Sequence, residues 1–233
     1  MPGAVPGDSH RMSATLARWN QAPGRVLRDW TAVAAAIAGG LLLAVWVVAR
    51  RATPDPTPTI FPGLTSPASL TAALHIFERN LLVLALHSSA CVAGYLAGSS
   101  LPAEADRYRG VMRRVHDHAG PLAIAFVSGA TLFSLITQAY VLGSSASTLA
   151  AQGGVGPGLL LIGLLPHAVP ELIALFLPLA AWLLASRRGR WDELLAATVV
   201  TTAIALPVLA ISAMVEVYVS PHLVLWLRSL HFV

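Results

Sequence analysis

The chain has no lysine, a single cysteine and very little charge of either sign. With Cys91 alone, no intrachain disulfide and no cysteine-based zinc site can form. Set in an apolar run, that thiol reads as a small packing residue. Charged residues make up only 11% of the 233 positions, against about 25% in soluble globular domains. The deficit is concentrated in long blocks, which excludes an ordinary soluble core and points to an integral membrane protein. All fifteen basic residues are arginine, a pattern that fits GC-rich coding. They fall in short clusters between apolar runs and form no continuous basic face, so nucleic acid is not an expected partner. The first thirty residues are polar and have the wrong shape for a cleavable signal peptide, so the first apolar run reads as a retained anchor.

What the chain does have is five apolar runs, near 31–49, 80–99, 121–142, 159–185 and 193–219. Each reaches or approaches the roughly 20 residues that span a bilayer as helix. The arginines orient them. Arg11, Arg18, Arg25 and Arg28 precede the first run, Arg107, Arg109, Arg113 and Arg114 follow the second, and Arg187, Arg188 and Arg190 follow the fourth. The alternate connections hold only Arg50, Arg51 and Arg228. The positive-inside rule then places the N-terminus in the cytoplasm and the C-terminus outside, as an odd number of spans requires. The expected organisation is a cytoplasmic polar tail over 1–30, an all-α polytopic membrane bundle over 31–222 and an external or interfacial tail over 223–233. The expected location is a bacterial cytoplasmic membrane, with the lipid bilayer as the first partner.

The first external connection, TPDPTPTIFPGLTSPASL, is rich in proline and threonine and should be extended. Ser66-Pro67 offers an N-cap and a first-turn proline. Leu70, Ala73, Leu74, Phe77 and Leu81 then recur at helical spacing, which suggests an outer interfacial helix before the second span. GGVGPG lacks the lysine and spacing of a phosphate loop and reads as a flexible external turn. On the second span Ala90, Gly94 and Gly98 repeat every four residues, so another helix backbone can come close. That partner is a helix of the same chain or, in a homo-oligomer, of a second copy.

Ionisable groups at membrane depth cost about 2.5–3.5 kcal/mol each and usually face a protein interior. The candidates are Glu78, Arg79 and Asn80 at the outer end of the second span, His87 deeper, His167 and Glu171 in the fourth span, and Glu216 near the end of the fifth. His167 and Glu171 stand four apart, as do Pro166 and Pro170. Each proline removes a backbone donor and clashes with the preceding turn. A continuous helix over 159–185 would also run about 40 Å against a hydrocarbon core of about 30 Å. Both facts suggest a broken fourth span, with a half-helix ending near Leu165 and a restart at Val169-Pro170. Glu78, Arg79, His167, Glu171 and Glu216 then either converge on one outward-facing cluster or are paired separately. Spacing alone leaves both open.

Three stretches carry a resemblance: FERNLLVLALH at 77–87, LLPHAVPEL at 164–172 and AMVEVYVSP at 213–221. They are similar to the span-entry, Pro-His-Gly…Glu and terminal glutamate-before-proline motifs of the stage II sporulation protein M family of membrane proteins. Ala168 stands where the family usually has glycine. The resemblance implies a multi-span helical bundle, with His167, Glu171, Glu216 and Asn80 as the positions to carry over. It also implies a non-enzymatic scaffold or membrane-complex subunit that engages protein partners and needs no cofactor. A transporter or channel component is the alternative, because titratable groups beside a helix break mark ion or substrate sites. An intramembrane metalloenzyme using His167, Glu171 and Glu216, with His75 or His222, is a third reading; its His-x-x-x-Glu spacing differs from that of zinc peptidases.

Overall fold

The computed structural model describes residues 8–100 and 110–230. A chain this apolar has to satisfy its backbone polar groups internally, and a helix does so within one segment. Among the described residues there are seven α-helices and no strand. They are α1 (Asp8–Asn20), α2 (Pro23–Arg51), α3 (Leu70–Tyr95, continued by a π-helical turn Leu96–Ser100), α4 (Val111–Gly153), α5 (Pro157–Arg187), α6 (Leu194–Tyr218) and α7 (Ser220–Leu230). Among the described residues five segments are long and apolar enough to cross a membrane: α2, α3 with its π turn, His118–Gly153 of α4, α5 and α6 with the preceding 3-10 turn.

Local chemistry sets the ends. Pro23 opens α2 in its first turn, where its missing donor costs little, and Arg50 and Arg51 close it beside the negative end of the helix dipole. The Ser69 hydroxyl caps α3 by accepting from the Ala72 N–H at 3.1 Å. Gly154 ends α4 in the left-handed conformation, at φ 64°, and Pro157 starts α5 three residues later.

α5 is the axis of the bundle. Every residue from Leu172 to Ala181 except Ile173 is buried, with α2, α3 and α6 packed around them. α2 presents Trp30, Ala34, Ala38, Leu41 and Val45 to this core, one residue per turn, and Ala49 to a smaller cluster with Leu149, Leu160 and Val224. α4 leans mainly on α2 and leaves most of its surface to lipid. The small residues of α3 face inward: a β-carbon at Gly94 would press on the Trp182 indole at 2.7 Å, and one at Gly98 would overlap Trp191.

The arginine clusters fall at opposite ends of the bundle. Arg188 bonds Asp29 at 3.2 Å, joining the start of α2 to the end of α5, and Arg18 reaches Glu193 at 3.2 Å. Gly143 packs on Val48 and Gly154 lies near Arg228, so Arg51 and Arg228 belong to the other end. Arg107 and Arg109 lie outside the described residues.

Several expectations are corrected. The fourth span is not broken: α5 runs unbroken through Pro166, Pro170 and Pro178. In lipid, an exposed backbone group has no water to turn to, so a helix that loses one rung at each proline is favoured over one that opens a whole turn. Two side chains of α3 also tie this stretch to its neighbour: His87 Nδ1 bonds the Leu175 carbonyl at 3.0 Å, and the Cys91 thiol donates to the Pro178 carbonyl at 3.1 Å. There is likewise no separate interfacial helix, because 70–79 is the beginning of α3, capped at Ser69 and not at Ser66. Polar residues 8–20 form α1, whose Trp19 meets Trp30 edge-on at 5.1 Å. Residues 144–153, taken as part of an external loop, extend α4, and 223–230 belong to α7.

The connection over 52–69 is held down as a strap. Asp55 N–H donates to Thr148 Oγ1 at 3.0 Å, and Thr59 N–H donates to Gln152 Oε1 at 3.0 Å. Gln152 donates back to the Thr57 carbonyl at 2.7 Å. The Thr57 N–H donates to the exposed Asp55 carboxylate at 2.8 Å, which holds that acid below its ordinary range.

Candidate functional site

Pro166 and Pro170 sit one turn apart on the exposed side of α5. Each is followed by a polar residue turned about 100° away, towards the interior. His167 is 7% exposed, and its Nδ1 lies 2.7 Å from the buried Ser220 hydroxyl. Ser220 and Pro221 open α7, and α7 is seated against α5 where Val224 meets Gly163, a position with no room for a β-carbon. Gly163 and His167 are four apart, so one face of α5 receives both contacts. Replacing Ser220 by alanine strands a buried imidazole nitrogen and should cost about 1 kcal/mol. An unchanged thermal midpoint in detergent would show that this bond contributes nothing.

Glu171 lies one turn further along. It faces Asn80 of α3 and Glu216 of α6, and Arg79 exerts a Coulombic pull on Glu216. The pairing is incomplete: Asn80 Nδ2 and Glu171 Oε2 are both buried without a hydrogen-bond partner of proper geometry. Glu171 Oε2 is an acceptor and Asn80 Nδ2 a donor, and unsatisfied polar atoms at this depth are expensive.

Two cavities meet at these carboxyl groups. One, of about 200 Å³, is mostly apolar; the strap contributes Thr59 and Phe61, α4 contributes Ser145, and His167, Glu171 and Glu216 supply polar groups. The other, of about 360 Å³, lies between α3 and α4 and is lined by Arg79, Asn80, Thr137 and Gln138 as well as both glutamates. α3 and α4 approach closely where Gly120 meets the Ala97 carbonyl, at the arginine-rich end. Glu171 and Glu216 therefore stand in the wall between the two spaces.

Of the sequence candidates, His167, Glu171, Glu216, Asn80 and Arg79 gather around these cavities. Glu78 does not, because it faces outward and lies 3.9 Å from the exposed His75. His87 serves the α5 backbone, and its ring stacks obliquely on Phe176. Among the described residues no group of three or more His, Cys, Asp or Glu side chains is placed to hold a metal ion. Sequence reasoning missed Gln138, Ser220 and the strap. A glutamine in an apolar span was a readable signal for the first. Nothing local signalled that the strap would fold back over the α5 face, 100 residues away.

Comparison with known proteins gives one result. The family model described as Stage II sporulation protein M matches residues 32–221, most of the chain. Neither a curated protein nor a solved structure matches it.

Proposed function

The chain belongs to the stage II sporulation protein M family, and from that premise we propose that it is a non-enzymatic subunit of a membrane complex. In this reading the acidic wall between the two cavities receives a cationic group from a partner protein. The observation that carries it is the pair of carboxyl groups, Glu171 and Glu216, with an unmatched Glu171 oxygen beside Asn80, in a cleft between α3 and α4. A cationic side chain would donate to the unmatched Glu171 oxygen and offset two acidic groups, an exchange that strengthens where water is scarce. The arginine-rich end would face the cytoplasm of a bacterial cell and the strap and α7 the outside, so the cleft would open in the outer half of the bilayer.

The test is co-purification of the full chain from its native membrane in mild detergent. Wild type should retain a stoichiometric protein partner, and Glu171→Gln with Glu216→Gln should reduce the yield at least tenfold while the chain stays folded. Absence of any reproducible partner removes the proposal.

A transport role is favoured by one separate observation: the same two carboxyl groups line both cavities, giving a proton or small cation a relay between them. Purified protein in liposomes would then show a cation or proton flux abolished by Glu171→Gln. Flux that is absent, or indifferent to that change, excludes it.

A further inference from the structure

A second cavity system lies at the opposite end of the bundle, away from the carboxyl pair. It measures about 360 Å³ and is lined by Arg18, Arg25, Arg188 and Arg190, with Asp29 and Glu193 as its only acids. Trp19 and Trp30 form part of its wall, their rings edge-to-face. We infer that this cavity is a binding site for a phosphate group, as carried by an anionic lipid headgroup or by a free phosphate.

Four guanidinium groups against two carboxylates leave two positive charges uncompensated at neutral pH. The acids act as struts. Glu193 is 7% exposed and receives Arg18 at 3.2 Å and Arg190 at 3.5 Å; Asp29 receives Arg188 at 3.2 Å. Each of these arginines keeps further N–H donors, and guanidinium donors match phosphate oxygens in pairs. Among the described residues Arg25 takes part in no ion pair, which leaves its charge available. The depth is right as well: Trp30 stands one residue before the long apolar run of α2, and paired tryptophans at that level mark the headgroup zone. Basic pockets between helices at this level are where phosphate headgroups are recognised.

Arg25→Gln is the discriminating change, because it breaks no ion pair of the folded protein. Native mass spectrometry would count phosphatidylglycerol and phosphatidylcholine retained by the full chain, and inorganic phosphate would be titrated separately. Saturable retention of phosphatidylglycerol over phosphatidylcholine, weakened about fivefold by Arg25→Gln, supports the lipid source. Saturable binding of inorganic phosphate with the same sensitivity supports the free source. Binding of neither probe, or binding that Arg25→Gln leaves untouched while Arg25→Lys also changes nothing, overturns the site. Arg187→Gln lies outside the cavity and serves as the control for general surface charge.

Discussion

Phe176→Ala will destabilise the bundle by about 3–5 kcal/mol, the largest loss expected from any single truncation in this chain. Phe176 has no exposed surface and sits mid-way along α5, where α2, α3 and α6 close around it. Lipid tails are as apolar as the core, so burial from water contributes little to holding these helices together. The cost comes from the void and from the dispersion contacts forfeited around it. The His87 ring, 5.2 Å from that of Phe176, would lose the wall that steers its Nδ1 to the Leu175 carbonyl. Phe176→Leu should recover more than half of the loss. Reversible unfolding in mixed micelles measures both, and a loss below about 1 kcal/mol for the alanine variant would mean that α5 is not the packed axis described.

Gly63→Ala should have the second largest effect, and a local one. Gly63 adopts φ 81°, a conformation costing an L-residue about 1–2 kcal/mol. A β-carbon there would also collide with the Val217 carbonyl and meet the Pro221 ring at 2.6 Å. One obstacle is backbone at the end of α6 and the other is a rigid ring at the start of α7, so neither can give way cheaply. The strap must lift instead, taking Phe61 off the apolar cavity beside His167. Limited proteolysis should cut 52–69 at least tenfold faster in this variant, with the melting midpoint of the bundle less affected than by Phe176→Ala. Equal cleavage rates would show that the strap is not seated through Gly63.

Much of this arrangement could be read before any coordinates, for identifiable reasons. The five spans and their alternation rest on apolar length and arginine placement, which are properties of single segments. His167, Glu171 and Glu216 stood out because an ionisable group at membrane depth is costly unless protein surrounds it. Glu78 was misplaced because neighbouring residues on a helix point about 100° apart; Arg79 and Asn80 reach the cleft and Glu78 cannot. The supposed break in α5 came from a rule about isolated helices. That rule omits the packing of α2, α3 and α6 around α5 and the ties that His87 and Cys91 make to its backbone from 88 and 87 residues away. Ser220 as the partner of His167 was likewise out of reach, since it depends on how α7 folds back over Gly163.

The unbroken course of α5 has a mechanical consequence. A helix resists bending through its ladder of N–H to C=O rungs, and Pro166, Pro170 and Pro178 each remove one. Around Pro178, α3 holds the Leu175 and Pro178 carbonyls from the side. Pro166 and Pro170 face outward, and the turns that carry His167 and Glu171 lack a rung each. Load applied to α7 reaches α5 in these turns, through Ser220 on His167 and Val224 on Gly163. The first thing it flexes is the separation between those two side chains.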